Sequence, residues 1–125
     1  MRNNHSKRRD AIYELLKTSK SHPSAKTIYE KLKSEYPNIS LGTVYRNINF
    51  FIENDNIFRV ANVAGEDRFD ACLEPHSHFV CTKCGNIYDI ENKNFEYLNK
   101  TLENENFKVD KTSVVFYGLC RNCNK

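Results

Sequence analysis

Two Cys-x-x-Cys pairs carry the clearest chemistry in this chain. The first pair is Cys81 and Cys84, and the second is Cys120 and Cys123. Each two-residue spacer permits a tight turn that aims two sulfur atoms at one point, so four thiolates can complete a tetrahedral shell around one Zn²⁺. Two disulfides, or unrelated thiols in the core, are the alternatives. In a reducing cytosol such pairs bind metal more often than they oxidise, and the pattern therefore predicts a structural zinc site.

Residues 85–119 separate the two pairs, a longer interval than an ordinary zinc ribbon has. A metal ion bound by both pairs would hold the two ends of a folded unit together. Such a link lowers the entropy of the unfolded chain, and the effect is largest when the loop that it closes is long. The fifth cysteine, Cys72, stands outside both pairs. We interpret it as a small buried apolar side chain without an assigned role.

Imidazoles and carboxylates form a second candidate set of metal ligands. Its members are His22, Asp70, His76, His78 and Asp89. His76 and His78 are two residues apart, so in an extended segment they point to the same side and can share one ion. A mixed nitrogen and oxygen shell suits Fe²⁺ or Mn²⁺ better than an all-thiolate shell does. The alternative is that His22 caps a turn and the aspartates are solvated, and the residues alone leave both interpretations open.

Charge is divided unevenly along the 125 residues. Residues 1–60 hold eleven Lys and Arg against six Asp and Glu, a net charge of +5, whereas residues 61–125 hold eight against ten, a net charge of −2. The basic half is where we would expect a polyanion to bind. A lysine-rich face that is simply solvated is, however, the commoner cause of such a surplus of positive charge. No apolar run reaches membrane-spanning length, and residues 1–5 lead into a charged helix, so we expect a cytoplasmic protein.

Three segments of the first half repeat apolar residues with the period of a helix. The apolar positions are Ala11, Ile12, Leu15 and Leu16, then Ile28, Leu32 and Tyr36, then Val44, Ile48, Phe51 and Ile52. Ser24 and Ser40 precede the second and third segments and are predicted N-caps. A β-rich run at 57–63, a turn at 64–67 and a return at 68–70 predict a small hairpin. Three helices followed by a hairpin are the plan of a winged helix-turn-helix domain.

The third helix is the candidate reader of DNA. With its apolar residues packed inward, the outward side chains are Tyr45, Arg46, Asn47 and Asn49. Arg and Asn can hydrogen-bond base edges, and Tyr can contact a thymine methyl group or a phosphate. Three packed helices also build plain interaction domains, so periodicity alone leaves DNA binding open.

The second half predicts strands around one helix. Residues 79–81 and 87–90 are strand-like, residues 94–105 form an amphipathic helix, and residues 107–118 return as one long strand. That last strand is apolar on both faces, which predicts burial in a dimer interface. The fold class expected for the whole chain is α+β.

Four segments together resemble the ferric uptake regulator family of bacterial metal-dependent repressors. They are SLGTVYRN at 40–47, RFD at 68–70, HSHFVCTKCG at 76–85 and YGLCRNC at 117–123. The resemblance implies a winged-helix DNA-binding domain in residues 1–69 and a small α/β dimerisation domain in residues 70–125. It implies a structural Zn²⁺ on the four paired cysteines and a regulatory Fe²⁺ or Mn²⁺ at the domain junction. The regulatory ligands that it implies are His22, Asp70, His76, His78 and Asp89.

The same resemblance implies a repressor that binds double-stranded DNA as a homodimer, on a pseudo-palindromic AT-rich operator. The DNA contacts are expected from Ser40, Thr43, Tyr45, Arg46 and Asn47. The chain also departs from the family pattern. Many iron sensors have a third metal site with a histidine on the last strand, and residues 112–116 contain none. We therefore expect that site to be absent.

Within the family the chain is most similar to the peroxide-sensing repressors. Asp70 stands where iron-sensing members usually carry Glu, and an aspartate at the position of Asp89 is typical of peroxide sensors. This similarity implies that iron-catalysed oxidation of His22 or His76 to 2-oxo-histidine leads to loss of the metal and release of DNA. An iron- or zinc-responsive repressor of the same family is the alternative.

A small zinc metalloenzyme that uses Asp70, His76 and His78 as its shell is the alternative from a different class. The chain has neither a His-Glu-x-x-His motif nor a His-x-Glu partnered with Pro-Cys-x-x-Cys, so a convincing general base is missing. The enzyme hypothesis also leaves the basic helical half unexplained. We therefore expect no enzymatic activity.

Overall fold

The structure is a computed structural model that describes residues 4–71, 77–91, 95–110 and 112–125. The chain divides into two compact units, Met1–Leu73 and Glu74–Lys125. The domain boundary expected from the sequence lies four residues earlier, after residue 69. The chain stays with the first unit beyond that point because Phe69 and Ala71 are both buried in its apolar core.

Three helices form most of the first unit, namely α1 (Asn4–Thr18), α2 (Ala25–Leu32) and α3 (Leu41–Glu53). Both predicted N-caps are confirmed. Ser24 Oγ accepts a hydrogen bond from the Thr27 amide at 3.2 Å, and Ser40 Oγ accepts one from the Thr43 amide at 3.0 Å. Each cap satisfies an amide that has no partner inside its own helix, which stabilises the starts of α2 and α3.

The apolar faces of the three helices meet in one core. Its buried helical residues include Ile12, Leu16, Ile28, Leu32, Val44, Ile48 and Phe51. Ile52 was expected in this core and is instead 36% exposed. The inward face of α3 is centred near Val44, and a rotation of about 100° per residue carries Ile52 beyond the edge of that face.

A short hairpin completes the first unit, with β1 (Phe58–Val63) antiparallel to β2 (Glu66–Asp70). Only Ala64 and Gly65 connect the strands, with φ angles of 53° and 84°. Positive φ at both positions is typical of a type I′ turn, whose twist suits a two-residue hairpin. The turn predicted over 64–67 is therefore too long, because Glu66 and Asp67 already pair with β1. The plan of three helices and a hairpin is confirmed.

The second unit contains β3 (Ser77–Cys81), β4 (Ile87–Ile90), α4 (Phe95–Asn104) and β5 (Val115–Gly118). The strand order is β4-β3-β5, with β4 antiparallel and β5 parallel to β3. The long strand predicted over 107–118 is wrong except at its end, because the described residues before Val115 are not strand. The mixture of helices and small sheets confirms the α+β class.

Large apolar side chains lie exposed on the second unit. On and after β5, Phe116, Tyr117 and Leu119 are 46%, 61% and 48% exposed. Tyr97 and Leu98 of α4 are exposed as well. Exposed apolar side chains of this size are candidates for a surface that another molecule covers. Among the described residues, no helix has the length and apolar character that crossing a membrane requires.

Candidate metal centres and DNA-reading helix

The first cysteine pair sits in a tight turn at the end of β3. The Cys84 amide donates to Cys81 Sγ at 3.4 Å, and the Gly85 amide donates to the Cys81 carbonyl at 2.9 Å. Gly85 has a φ of 77°, a left-handed conformation that glycine adopts without strain. The turn therefore brings the sulfur atoms of both cysteines to the same end of the sheet.

The second pair approaches the first through the pairing of β5 with β3. Gly118 lies opposite Cys81 in that parallel ladder, so the chain leaves β5 beside the first turn. The Cys120 amide then donates to Cys81 Sγ at 3.4 Å, and the Cys123 amide donates to the Cys120 carbonyl at 3.0 Å. Sheet pairing thus brings together two motifs that lie far apart in the sequence.

The four sulfur atoms form a compact cluster that fits one zinc ion. They all lie within 4.8 Å of one another, and Cys84 Sγ is 3.9 Å from Cys120 Sγ. Sulfurs placed tetrahedrally about 2.3 Å from one Zn²⁺ would be about 3.8 Å apart. A disulfide would need about 2.05 Å, and the four cysteines are free thiols. The disulfide alternative therefore does not match this cluster.

Hydrogen bonds already favour thiolates at this cluster. Donation from the backbone amides of Cys84 and Cys120 lowers the pKa of the Cys81 thiol to about 5. A hydrogen bond from the Tyr88 hydroxyl lowers the pKa of Cys120, while a hydrogen bond with Cys120 raises the pKa of Cys123 to about 12. One cysteine from each pair thus favours the deprotonated form that binds zinc.

His22 and Asp70 form a buried pair within the first unit. His22 lies in the loop between α1 and α2, and Asp70 is the last residue of β2. His22 Nδ1 is 3.5 Å from Asp70 Oδ2, and the two side chains are 2% and 6% exposed. Asp70 is therefore buried beside an imidazole and is not a solvated carboxylate.

His78 and Asp89 form a second pair within the second unit. They stand opposite each other on β3 and β4, and His78 Nε2 is 3.4 Å from Asp89 Oδ1. His78 is buried, whereas Asp89 is 48% exposed. The predicted ligand His76 lies outside the described residues, as does Cys72. Each observed pair offers one nitrogen and one oxygen ligand, a donor set that fits Fe²⁺, Mn²⁺ or Zn²⁺.

The start of α3 exposes most of the predicted DNA contacts. Tyr45 is 48% exposed and Arg46 is also exposed. Arg46 Nη2 donates to Thr43 Oγ1 at 3.0 Å, and the Thr43 hydroxyl lies 2.9 Å from the capping Ser40 hydroxyl. This chain of hydrogen bonds holds the guanidinium near the start of the helix, where α3 also presents its free amides.

Asn47 does not face outward, and that prediction is wrong. Its side chain is 2% exposed. Asn47 Oδ1 accepts a hydrogen bond from Arg9 Nε at 2.9 Å, and Asn47 Nδ2 donates to the Thr43 carbonyl at 2.9 Å. Arg9 also stacks 3.8 Å from the centre of the Phe50 ring. Asn47 therefore joins α3 to α1, a role that helical periodicity alone cannot reveal because it depends on the neighbouring helix.

Arg68 is a further polar residue, and its residue type and spacing predicted no role for it. Its Nε donates to the His22 carbonyl, and its Nη2 donates to the Ser21 carbonyl at 2.6 Å. The only signal in the sequence was its place in the RFD segment beside Asp70. These contacts place Arg68 next to the loop that carries a candidate metal ligand.

Comparison with known proteins agrees with this architecture. The profile of the ferric uptake regulator family matches residues 3–117. The peroxide operon regulator of Bacillus subtilis (strain 168) is 33% identical over 118 residues, which cover 94% of this chain and 81% of that protein. The peroxide-responsive repressor PerR of Staphylococcus epidermidis is 31% identical over 116 residues, covering 92% of this chain and 77% of the relative.

Solved structures show the same fold. The Campylobacter jejuni peroxide stress regulator superposes with a TM-score of 0.82 at 32% identity, covering 95% of this chain and 90% of that one. The Helicobacter pylori ferric uptake regulator Fur gives a TM-score of 0.83 at 24% identity, covering 100% of this chain and 83% of that one. The matched family consists of transcription regulators, which excludes the metalloenzyme alternative. The chain belongs to the ferric uptake regulator family.

Proposed function

We propose that this chain is a metal-dependent, DNA-binding repressor that senses hydrogen peroxide through oxidation of a ligand histidine. The observation that carries this proposal is the burial of two imidazoles against aspartates. His22 lies 3.5 Å from Asp70, and His78 lies 3.4 Å from Asp89. These mixed donor sets are chemically distinct from the four-thiol cluster, so one chain carries a site for firm structural binding and ligands suited to reversible binding.

The four-cysteine cluster holds a structural Zn²⁺ in this proposal. Its ligands come from two turns that the β3–β5 pairing brings together. Four thiolates complete the coordination of zinc and leave no open position, which is typical of a site that stabilises a fold.

The histidine–aspartate pairs hold a regulatory Fe²⁺ or Mn²⁺. Two ligands alone bind such an ion weakly, so we propose that one ion takes five protein ligands. They are His22, Asp70, His76, His78 and Asp89. A shell of five protein ligands would leave room on the ion for a small molecule such as peroxide. Imidazole and carboxylate admit Fe²⁺, Mn²⁺ and Zn²⁺ alike, so availability in the cell selects among them.

The winged-helix unit reads DNA through α3. Tyr45 and Arg46 are exposed and are the side chains proposed to contact bases, while Ser40 and Thr43 lie where the first amides of the helix can meet phosphate. Asn47 supports α3 from inside and is not proposed as a base contact. A repressor of this kind acts where the bacterial chromosome lies, in the cytoplasm.

Homodimerisation is proposed through the exposed apolar surface of β5 and α4. Phe116, Tyr117 and Leu119 contribute to this surface. A two-fold dimer presents two copies of α3 and therefore matches a pseudo-palindromic operator, proposed to be AT-rich.

Peroxide sensing depends on a histidine held close to the metal. Bound Fe²⁺ would supply the reduction of hydrogen peroxide to a strong oxidant at that place. The chain supplies the target, an imidazole of His22 or His76. Peroxide would be the two-electron oxidant: one of its oxygen atoms would be added to the ring as 2-oxo-histidine, and the other would leave as water. An oxidised imidazole is a poor ligand, so the metal is lost and the repressor releases its operator. The names of the two peroxide-responsive relatives and of the Campylobacter jejuni regulator support this choice within the family.

A gel-shift experiment with two metals tests this function. Fe²⁺-loaded and Mn²⁺-loaded protein should bind a pseudo-palindromic AT-rich operator equally well, and a chelator should release both. After a pulse of peroxide only the iron form should release DNA, because Mn²⁺ does not readily cleave peroxide to a hydroxyl-like oxidant. If both forms remain bound, the protein responds to the level of its metal and not to peroxide.

A further inference from the structure

The face of β2 that carries Asp70 also contacts the loop that carries His22. Residues 66, 68 and 70 alternate along the strand and therefore share one face. Each of them contacts the loop. Glu66 Oε1 accepts a hydrogen bond from Ser24 Oγ at 3.4 Å, Arg68 donates to two loop carbonyls, and Asp70 lies 3.5 Å from His22.

Of the three residues on this face, Arg68 is the middle one, and it makes two of the contacts with the loop. Its Nε donates to the carbonyl of His22, and its Nη2 donates to the carbonyl of Ser21 at 2.6 Å. The planar guanidinium presents these two donors in a fixed arrangement, which suits two consecutive carbonyl groups. The guanidinium is partly buried, and this burial lowers the pKa of Arg68.

The backbone of β2 continues the same attachment. The Phe69 amide donates to the Pro23 carbonyl at 3.3 Å, and Ser24 forms an antiparallel bridge with Arg68. The loop is therefore fixed to β2 by main-chain hydrogen bonds at its end and by the Arg68 side chain just before it.

His22 needs this support because of its backbone conformation. Its φ is 53°, in the left-handed region, which is uncommon and unfavourable for residues with a Cβ. The imidazole is nevertheless buried beside Asp70. A loop free to relax would leave this conformation and carry the ring away from the carboxylate.

We propose that Arg68 is a positioning residue for the regulatory metal, and that its guanidinium holds the His22 loop against β2 so that the imidazole stays beside Asp70. This role rests on the proposed regulatory site. Arg68 does not bind the ion itself. It acts through the backbone of a ligand, as the partners that orient metal-binding histidines do through the ring.

Metal affinity of the full-length, zinc-loaded protein is the direct test. Arg68→Ala should weaken Mn²⁺ binding roughly tenfold or more, measured by titration calorimetry. Arg59→Ala is the matched control, because Arg59 lies in the same hairpin, is 64% exposed and pairs only loosely with Asp67 at 3.5 Å. It removes the same charge and should leave Mn²⁺ affinity unchanged. Arg68→Lys keeps the charge but not the paired donors and should show a smaller loss than Arg68→Ala.

Amide hydrogen exchange in the metal-free protein provides a second measurement. In Arg68→Ala the Phe69 amide should exchange faster, because its acceptor, Pro23, belongs to the released loop. The Val44 amide, bonded to Ser40 in the first turn of α3, should exchange as in the wild type. Faster exchange confined to Phe69 and the loop would show local release and not general unfolding.

The outcomes separate this role from the proposed site. If the wild type binds Mn²⁺ and both Arg68→Ala and Arg68→Lys bind it equally well, the positioning role is wrong. If the wild type binds no Mn²⁺ beyond its zinc, the proposed regulatory site is itself wrong. Equal loss in Arg59→Ala would mean that hairpin charge acts on the metal, which also contradicts the role of Arg68.

Discussion

The two sets of candidate ligands differ in how the fold assembles them. The cysteines lie in two short turns at one end of a sheet, and backbone amides already favour the Cys81 thiolate. The histidines and aspartates come from a loop and from three separate strands, and His22 has a strained backbone conformation. A set of ligands fixed by its own turns suits a permanent ion. A set of ligands that comes from separate elements can be pulled apart by a local change. Such a set suits an ion that is released in response to a signal.

The largest effect is expected from removing the zinc ligands. Cys81→Ser or Cys120→Ser should unfold or monomerise the second unit, because zinc contributes on the order of 10 kcal/mol to the folding of small metal sites. Metal analysis and size-exclusion chromatography would measure this loss, with Cys72→Ser as the control that keeps its zinc. A stable, zinc-free dimer of Cys81→Ser would contradict a structural role for the zinc ion.

Chelation should distinguish the two sites in one sample. A mild chelator is expected to remove the regulatory metal and leave the zinc, since four thiolates hold zinc more firmly than imidazole and carboxylate hold Mn²⁺. Operator affinity should fall by up to about 3 kcal/mol, the usual range for coupling between two sites, and should return when Mn²⁺ is restored. Simultaneous loss of both metals would contradict the expected difference in metal affinity between the two sites.

Arg46→Ala tests the reading helix without touching either metal. We expect a loss of about 1–3 kcal/mol in specific DNA binding, measured by fluorescence anisotropy, with Mn²⁺ affinity unchanged. Lys108→Ala removes the same charge from the second unit and serves as the control, because Lys108 is 90% exposed and lies outside both cysteine turns. Unchanged operator affinity in Arg46→Ala would mean that the reading helix is misassigned.

Asn47→Ala should give the smallest of these effects, and the effect should fall on stability. Removing the amide takes this partner from Arg9 Nε in a partly buried position, which costs about 1 kcal/mol of unfolding free energy. Asn49→Ala, on the exposed side of α3, should change stability by less than about 0.5 kcal/mol. If Asn47→Ala keeps the melting temperature of the wild type but no longer binds DNA, Asn47 contacts the bases after all.

Local features of the sequence predicted local structure well. Ser24 and Ser40 cap their helices because a cap depends only on residues within one turn. The Cys-x-x-Cys spacing likewise predicted turns that converge, since two residues suffice to form each of them.

Features that depend on distant neighbours could not be predicted in this way. Asn47 is buried because α1 lies over that edge of α3, and Arg68 donates to the carbonyl of His22, 46 residues away in the sequence. Among the described residues of the last segment, the ladder with β3 begins at Val115, so the strand is short. In each case the contact joins two elements that are separate in the sequence. The pattern of residues within one element does not show which other element packs against it.

The masses of the peptides that carry the ligand histidines, measured after peroxide treatment, show whether a histidine is the sensor. Fe²⁺-loaded protein should gain one oxygen atom on His22 or His76, located by peptide mass spectrometry, and Mn²⁺-loaded protein should gain none. Asp89→Glu should keep iron-dependent DNA binding yet lose much of this oxidation, because the longer carboxylate changes how the iron is held. If peroxide releases DNA while both histidines stay unmodified and Cys81 or its partners are oxidised with loss of zinc, the account of histidine-based sensing is contradicted.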